Sequence, residues 1–220
     1  KKSKSISWGA RLIDILNKIE TEYILLLFDD FLLEDYVKTE KINQVFSVLE
    51  SDKNAVVFYL NAACVSDHQD TIEKDFRRLK DNIDYRVNSV PGLWRRKDLI
   101  SFTDFRDNPW AWEIFGSYRT FECGKNFYSV SSQKQNIYKY AYSKGGGIYR
   151  GKWVRDVVED KIKKYSLPLD MSIRGTVELN EPIKRNLVWK VKFIYLGYNL
   201  IGLRIFKFLK NQFRKKIRHL

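Results

Sequence analysis

Asp29 and Asp30 follow directly on Tyr23-Ile24-Leu25-Leu26-Leu27-Phe28, so two adjacent carboxylates stand at the end of a continuous apolar run. Carboxylates that close repel unless a cation or hydrogen-bond donors offset the charge, and a hard divalent ion bridging a diphosphate is one group that would. The competing reading is that one Asp merely caps a helix beginning near Leu33. Glu113 lies within Asp107-Asn108-Pro109-Trp110-Ala111-Trp112-Glu113-Ile114-Phe115-Gly116-Ser117. Large apolar neighbours would raise its proton affinity toward the range of a general base. The indoles beside it suit the face of a sugar; alternatively Trp110 and Trp112 belong to the core and Glu113 is a helix-start carboxylate favoured by the helix dipole. Between the acids, Val90-Pro91-Gly92-Leu93-Trp94-Arg95-Arg96-Lys97 joins a tight turn to an indole and three cations. Guanidinium groups grip phosphate oxygens in a fork, while a solvated turn with snorkelling side chains is the plainer alternative.

These residues need elements to position them. Leu12, Ile13, Leu16 and Ile19 repeat at helical spacing, which predicts a helix after Ser7-Trp8-Gly9. The run Tyr23 to Phe28 predicts a strand buried on both faces, as in a parallel sheet between helices. Glu34 to Glu50 reads as a second helix and Ala55 to Leu60 as a second buried strand, an order that suggests an α/β sandwich. Asp29 and Asp30 would then face the crevice beyond the carboxyl ends of the strands, where such folds bind ligands. Further on, Asp84 to Val90 is a candidate strand and Pro91-Gly92 a turn. Short helices are expected over Lys97 to Phe102 and Ala111 to Tyr118, a loop at Lys144 to Gly147, and a helix over Gly151 to Tyr165.

Charge divides the chain more sharply than hydropathy does. Of 40 Lys and Arg residues, 11 fall between Ile183 and Leu220, where there is no Asp or Glu, leaving 29 basic against 27 acidic residues elsewhere. A nearly neutral body with one basic segment argues against a nucleic-acid-binding fold, so no nucleic-acid partner is expected. The two domains expected are a catalytic body over residues 1–182 and a basic amphipathic helical tail over 183–220, divided near Asn180-Glu181-Pro182. Along the tail Phe193, Leu196, Leu200, Leu203, Phe206, Leu209, Phe213 and Ile217 recur at steps of three or four between cations. Such a helix can lie at an anionic membrane surface, or pack on the body with a solvated basic face. Cys64 and Cys123 stand in no metal-ligand spacing and read as reduced thiols. No apolar run reaches the roughly 18 to 20 residues of a spanning helix. A cytoplasmic protein, peripheral on the inner face of the cell membrane, is the expectation.

Taken in order, Ser7-Trp8, Thr21-Glu22-Tyr23-Ile24-Leu25-Leu26-Leu27-Phe28-Asp29-Asp30-Phe31-Leu32-Leu33, Pro91-Gly92-Leu93-Trp94-Arg95-Arg96, Asn108-Pro109-Trp110-Ala111-Trp112-Glu113 and Arg150-Gly151-Lys152-Trp153 resemble bacterial surface-polysaccharide glycosyltransferases of the glycosyltransferase-A fold. The likeness runs from Ser7 to Arg174. It implies a Rossmann-like mixed sheet flanked by helices, with amino-terminal nucleobase-binding strands that this chain does not hold in full. It also implies transfer from a nucleotide-sugar, a UDP-sugar foremost, to a glycan or lipid-linked acceptor with inversion. Asp29 and Asp30 would contact the donor's ribose and diphosphate, Asp30 through a divalent Mg2+ or Mn2+ ion. Glu113 would take the acceptor proton, Trp94, Trp110 and Trp112 would line the acceptor site, and Arg95 or Arg150 would contact phosphate. The alternative is a non-catalytic module that binds membrane or RNA through its basic tail.

Overall fold

In a computed structural model, residues 6–63, 68–178 and 186–218 are described, without the side chains of 68–73, 142, 215, 216 and 218. Cys64 and the expected boundary at 180–182 lie outside the described residues. The elements run α1 (Trp8–Asn17), β1 (Tyr23–Leu26), α2 (Thr39–Ser51), β2 (Ala55–Tyr59), β3 (His68–Glu73), β4 (Phe76–Leu79), β5 (Gly92–Arg95), α3 (Arg96–Ser101), α4 (Pro109–Arg119), β6 (Asn126–Val130), β7 (Ile148–Tyr149), β8 (Lys152–Val154), α5 (Arg155–Tyr165), β9 (Thr176–Val177), α6 (Leu187–Ile201) and α7 (Arg204–Arg218). This is an α/β architecture with a mixed sheet flanked by helices.

The main sheet has the order β1-β5-β2-β6-β4-β3. β2 is central: its five residues are all buried, and it pairs antiparallel with β5 and parallel with β6. Strand alternation sends Val57, Tyr59 and Trp94 to one face, where Leu16 of α1, Leu99 of α3 and Trp112 of α4 cover them. Phe58 and Leu93 go to the other face, against Val45, Val48 and Leu49 of α2.

Several expectations change here. β1 is no buried parallel strand; it lies at the sheet edge, antiparallel to β5, and Leu25 remains 48% exposed. An apolar run of this length has the same composition whether or not a neighbour covers it. Residues 84–90 form a loop, and Gly92 opens β5 instead of completing a turn. The helix expected from Glu34 begins at Thr39, so neither Asp29 nor Asp30 caps one. Lys152–Val154 is a strand before α5, in a separate sheet ordered β7-β8-β9.

Local chemistry explains the helix starts. Asn108 accepts a hydrogen bond from the Ala111 amide at 2.8 Å, with Pro109 in the first turn of α4, a strong start signal. Ser7 and Asn186 cap α1 and α6 in the same way. The tail expected as one helix is broken at Gly202, whose φ of 56° favours glycine. α6 and α7 pack against α4, joining Phe193, Leu200, Ile205 and Phe208 to Ala111, Phe115 and Tyr118 in one apolar cluster. Gly197 permits the approach, since a Cβ there would lie 2.5 Å from the Phe115 ring.

Candidate active site

Glu113 sits on α4 with its carboxylate turned to the 84–90 loop. The Ser89 amide and hydroxyl both donate to Glu113 Oε1, at 2.7 and 2.6 Å. Burial pushes this carboxyl above its ordinary range, and the two Ser89 bonds oppose the rise without cancelling it. A carboxylate with raised proton affinity, still held by two donors, is suited to accept a proton. The loop presenting Ser89 is itself anchored. The Tyr59 hydroxyl donates to the Arg86 carbonyl at 2.8 Å and accepts from the Asn88 amide at 3.2 Å. Ser117, one turn beyond Glu113 on α4, accepts from the Val87 amide at 3.0 Å.

Asp29 and Asp30 lie in the turn after β1. Asp29 is exposed; Asp30 is half-buried, with Oδ2 accepting from the Ile148 amide at 3.3 Å and its carbonyl accepting from the Gly147 amide at 2.7 Å. Burial pushes the Asp30 carboxyl up as well. Gly146 has φ of 104°, and a Cβ there would come 2.8 Å from Asp30 Oδ2, so the loop closes over this carboxylate only with glycine in place. The same loop runs into Arg150. Arg150 and Gly151 have φ of 52° and 78°, the two positive values of a two-residue hairpin turn between β7 and β8. Arg150 therefore stands two residues from the amide that holds Asp30, exposed and 5.6 Å over the Tyr149 ring.

Register brings the acids to one end of the sheet. Leu26, the last residue of β1, is opposite Gly92, the first of β5. Asp30 lies four residues beyond Leu26 and Ser89 three residues before Gly92. Tyr59, at the carboxyl end of β2, is also paired with Gly92. The carboxyl ends of β1 and β2 thus share an edge with the loop that holds Glu113. A ring chain spans the same edge: Phe28 stacks on Trp8 at 6.3 Å, and Trp8 meets Trp112 at 5.6 Å.

The other expected site residues are redistributed. Trp94 and Trp112 are wholly buried and lie 5.7 Å apart in the core, so neither lines an acceptor site. The Arg95 guanidinium is spent on the Ala55 and Leu49 carbonyls, at 3.1 and 3.0 Å, and on Glu22; it fastens β5 to its neighbours and has no fork left for phosphate. Trp110 does line a groove. It stacks on Phe193 at 4.1 Å and meets Trp189 at 4.8 Å, in a space of about 500 Å³ between α4, α6 and α7. Ser89, Tyr59 and Ser117 escaped sequence reasoning because their role rests on partners 24 to 30 residues away. Among the described residues no cluster of three or more His, Cys, Asp or Glu side chains forms.

Comparison with known proteins brings no match, whether with family models, curated proteins or solved structures.

Proposed function

We propose that the chain is a glycosyltransferase of glycosyltransferase-A type that moves a sugar from a nucleotide diphosphate, a UDP-sugar foremost, to a hydroxyl acceptor in cell-surface polysaccharide or lipopolysaccharide synthesis, working at the inner face of the cell membrane. The observation that carries the reading is the common sheet end of Asp30 and the Glu113–Ser89 pair, given by Leu26 opposite Gly92. Glu113 takes the proton of the acceptor hydroxyl as its oxygen attacks the anomeric carbon, and the bond from that carbon to the diphosphate oxygen breaks. The nucleoside diphosphate leaves, and the sugar is inverted. Ser89 keeps the Glu113 carboxylate oriented before the proton arrives, and Arg150 supplies positive charge beside the diphosphate.

Asp29 and Asp30 offer the one or two carboxylates from which Mg2+ is usually held when phosphate oxygens complete its shell, and Asp30 keeps Oδ1 clear of the Ile148 bond. These residues fit a Mg2+ or Mn2+ ion, which would offset negative charge on the diphosphate. The acceptor, glycan or lipid-linked, would reach Glu113 from the side of Trp110, one turn away on α4.

Nucleotide-sugar turnover by wild type, Asp30→Asn and Glu113→Gln tests the proposal. The expected result is a fall in kcat of roughly 10²- to 10⁴-fold for Glu113→Gln and weakened donor binding for Asp30→Asn. Equal turnover by all three would reject the roles given to Asp30 and Glu113, and no turnover by wild type would leave the non-catalytic, membrane-binding reading in its place.

A further inference from the structure

α6 is apolar on two sides. One side, with Phe193, Gly197 and Leu200, is buried against α4 and α7. The residues expected from sequence to face lipid, Phe193, Leu196, Leu200 and Leu209 among them, are therefore turned onto the body. A different set faces out: Leu187, Val191, Ile194 and Tyr198 at steps of four, three and four, with Val188 and Tyr195 beside them. Leu187 is 75% exposed and Tyr195 68%. α7 continues the pattern, since Phe206, Phe213 and Ile217 share one exposed stripe away from its buried Ile205 and Phe208. Exposed apolar surface gathered this way marks an interaction face, not scatter.

We propose that the outward face of α6, with the exposed stripe of α7, is a docking surface for an anionic phospholipid bilayer. Charge selects this occupant over a second copy of the chain. No Asp or Glu occurs from Ile183 to Leu220, against 11 Lys and Arg, so two such faces brought together would repel, whereas anionic headgroups complement them. Lys192, Lys210 and Arg214 are exposed and make no ion pair among the described residues. Among the described residues no helix is long and apolar enough to cross a membrane, so the helices would lie in the interface, apolar residues at the acyl boundary and tyrosine hydroxyls at headgroup level. Lys190 and Ile194 line both this face and the groove beside Trp110, so the groove opens at the lipid surface. This surface stands apart from the transfer reaction, and its test needs no donor.

The test is co-sedimentation of the full chain with phosphatidylcholine vesicles with and without phosphatidylglycerol. Wild type is expected to bind only the anionic vesicles. Lys210→Ser with Arg214→Ser should weaken binding about 25-fold, two cations at roughly fivefold each. Val191→Ser with Tyr195→Ser, and separately Phe206→Ser with Phe213→Ser, should weaken it at least about tenfold. All six positions are exposed, and circular dichroism melts matching wild type would keep folding out of the result. Undiminished binding by both apolar pairs would overturn the proposal in favour of electrostatic adsorption alone. Absence of vesicle binding, with a dimer in sedimentation velocity that the apolar pairs convert to monomer, would overturn it in favour of self-association.

Discussion

Replacing Ser89 by Ala removes one of the two hydrogen bonds that hold Glu113 Oε1, the hydroxyl bond at 2.6 Å, and leaves the amide bond at 2.7 Å. A hydrogen bond to a charged group contributes about 1.5–3 kcal/mol, and one between neutral groups about 0.5–1.5 kcal/mol. Burial raises the Glu113 pKa above its ordinary 4.5. The native chain thus binds this proton more tightly than the unfolded chain, and the stability so gained is present below about pH 4.5 and lost as pH rises through the folded pKa. Ser89 works in the opposite sense, because its hydroxyl favours the ionised form. The loss in Ser89→Ala is therefore smallest in acid, where Glu113 is neutral, and largest at pH 8, where it is charged. At about 2–4 °C per kcal/mol for a chain of this size, the melting midpoint should fall by about 3–12 °C at pH 8 and by about 1–6 °C near pH 4. Glu113→Gln removes the buried charge while keeping an acceptor, so it should melt above wild type at pH 8 and level with it near pH 4. A double-mutant cycle at pH 8, read by calorimetry, should give a coupling of about 1 kcal/mol or more between the two positions. A Ser89→Ala deficit equal at both pH values, or a coupling below about 0.5 kcal/mol, would show that the carboxylate is not held as described.

Trp112→Ala, which empties a wholly buried site between Trp8 and Trp94, should cost about 3–5 kcal/mol in urea unfolding; an unchanged midpoint with an altered acceptor KM would restore Trp112 to the acceptor wall. Gly197→Leu places atoms where even a Cβ lies 2.5 Å from the Phe115 ring, and overpacking of this kind typically costs about 1–3 kcal/mol. It should speed hydrogen exchange in α6 and α7, and undisturbed protection there would contradict the close approach of α6 to α4.

How much of this was legible in the chain depends on how far each fact reaches along it. Asn108-Pro109, Ser7 and Asn186 start helices by side-chain chemistry completed within three residues, and α4, α1 and α6 begin directly after them; helices were expected after Ser7 and from Ala111, whereas the tail, expected as one helix, is two. The unbroken apolar run of β2 marks a strand covered on both faces, which it is. Glu113 between bulky apolar neighbours foretold a raised pKa, and the segregation of charge into the last 38 residues is a property of composition alone.

Tertiary structure decided the rest, because the deciding partner was always distant. β1 and β2 carry similar apolar runs, yet strand order makes one an exposed edge and the other the centre of the sheet. Arg95 and Arg150 are both basic residues beside turns; one meets the Leu49 and Ala55 carbonyls and is consumed, while the other tops a hairpin in solvent. Trp94, Trp110 and Trp112 are chemically alike, and only the packing of α4 between the sheet and α6 buries two of them and leaves the third on a groove. α6 makes the point most plainly. Both of its sides are apolar, so helical periodicity names no inner face, and the contact of Gly197 with Phe115 is what turns Phe193 and Leu200 inward and leaves Val191 and Tyr195 to the outside.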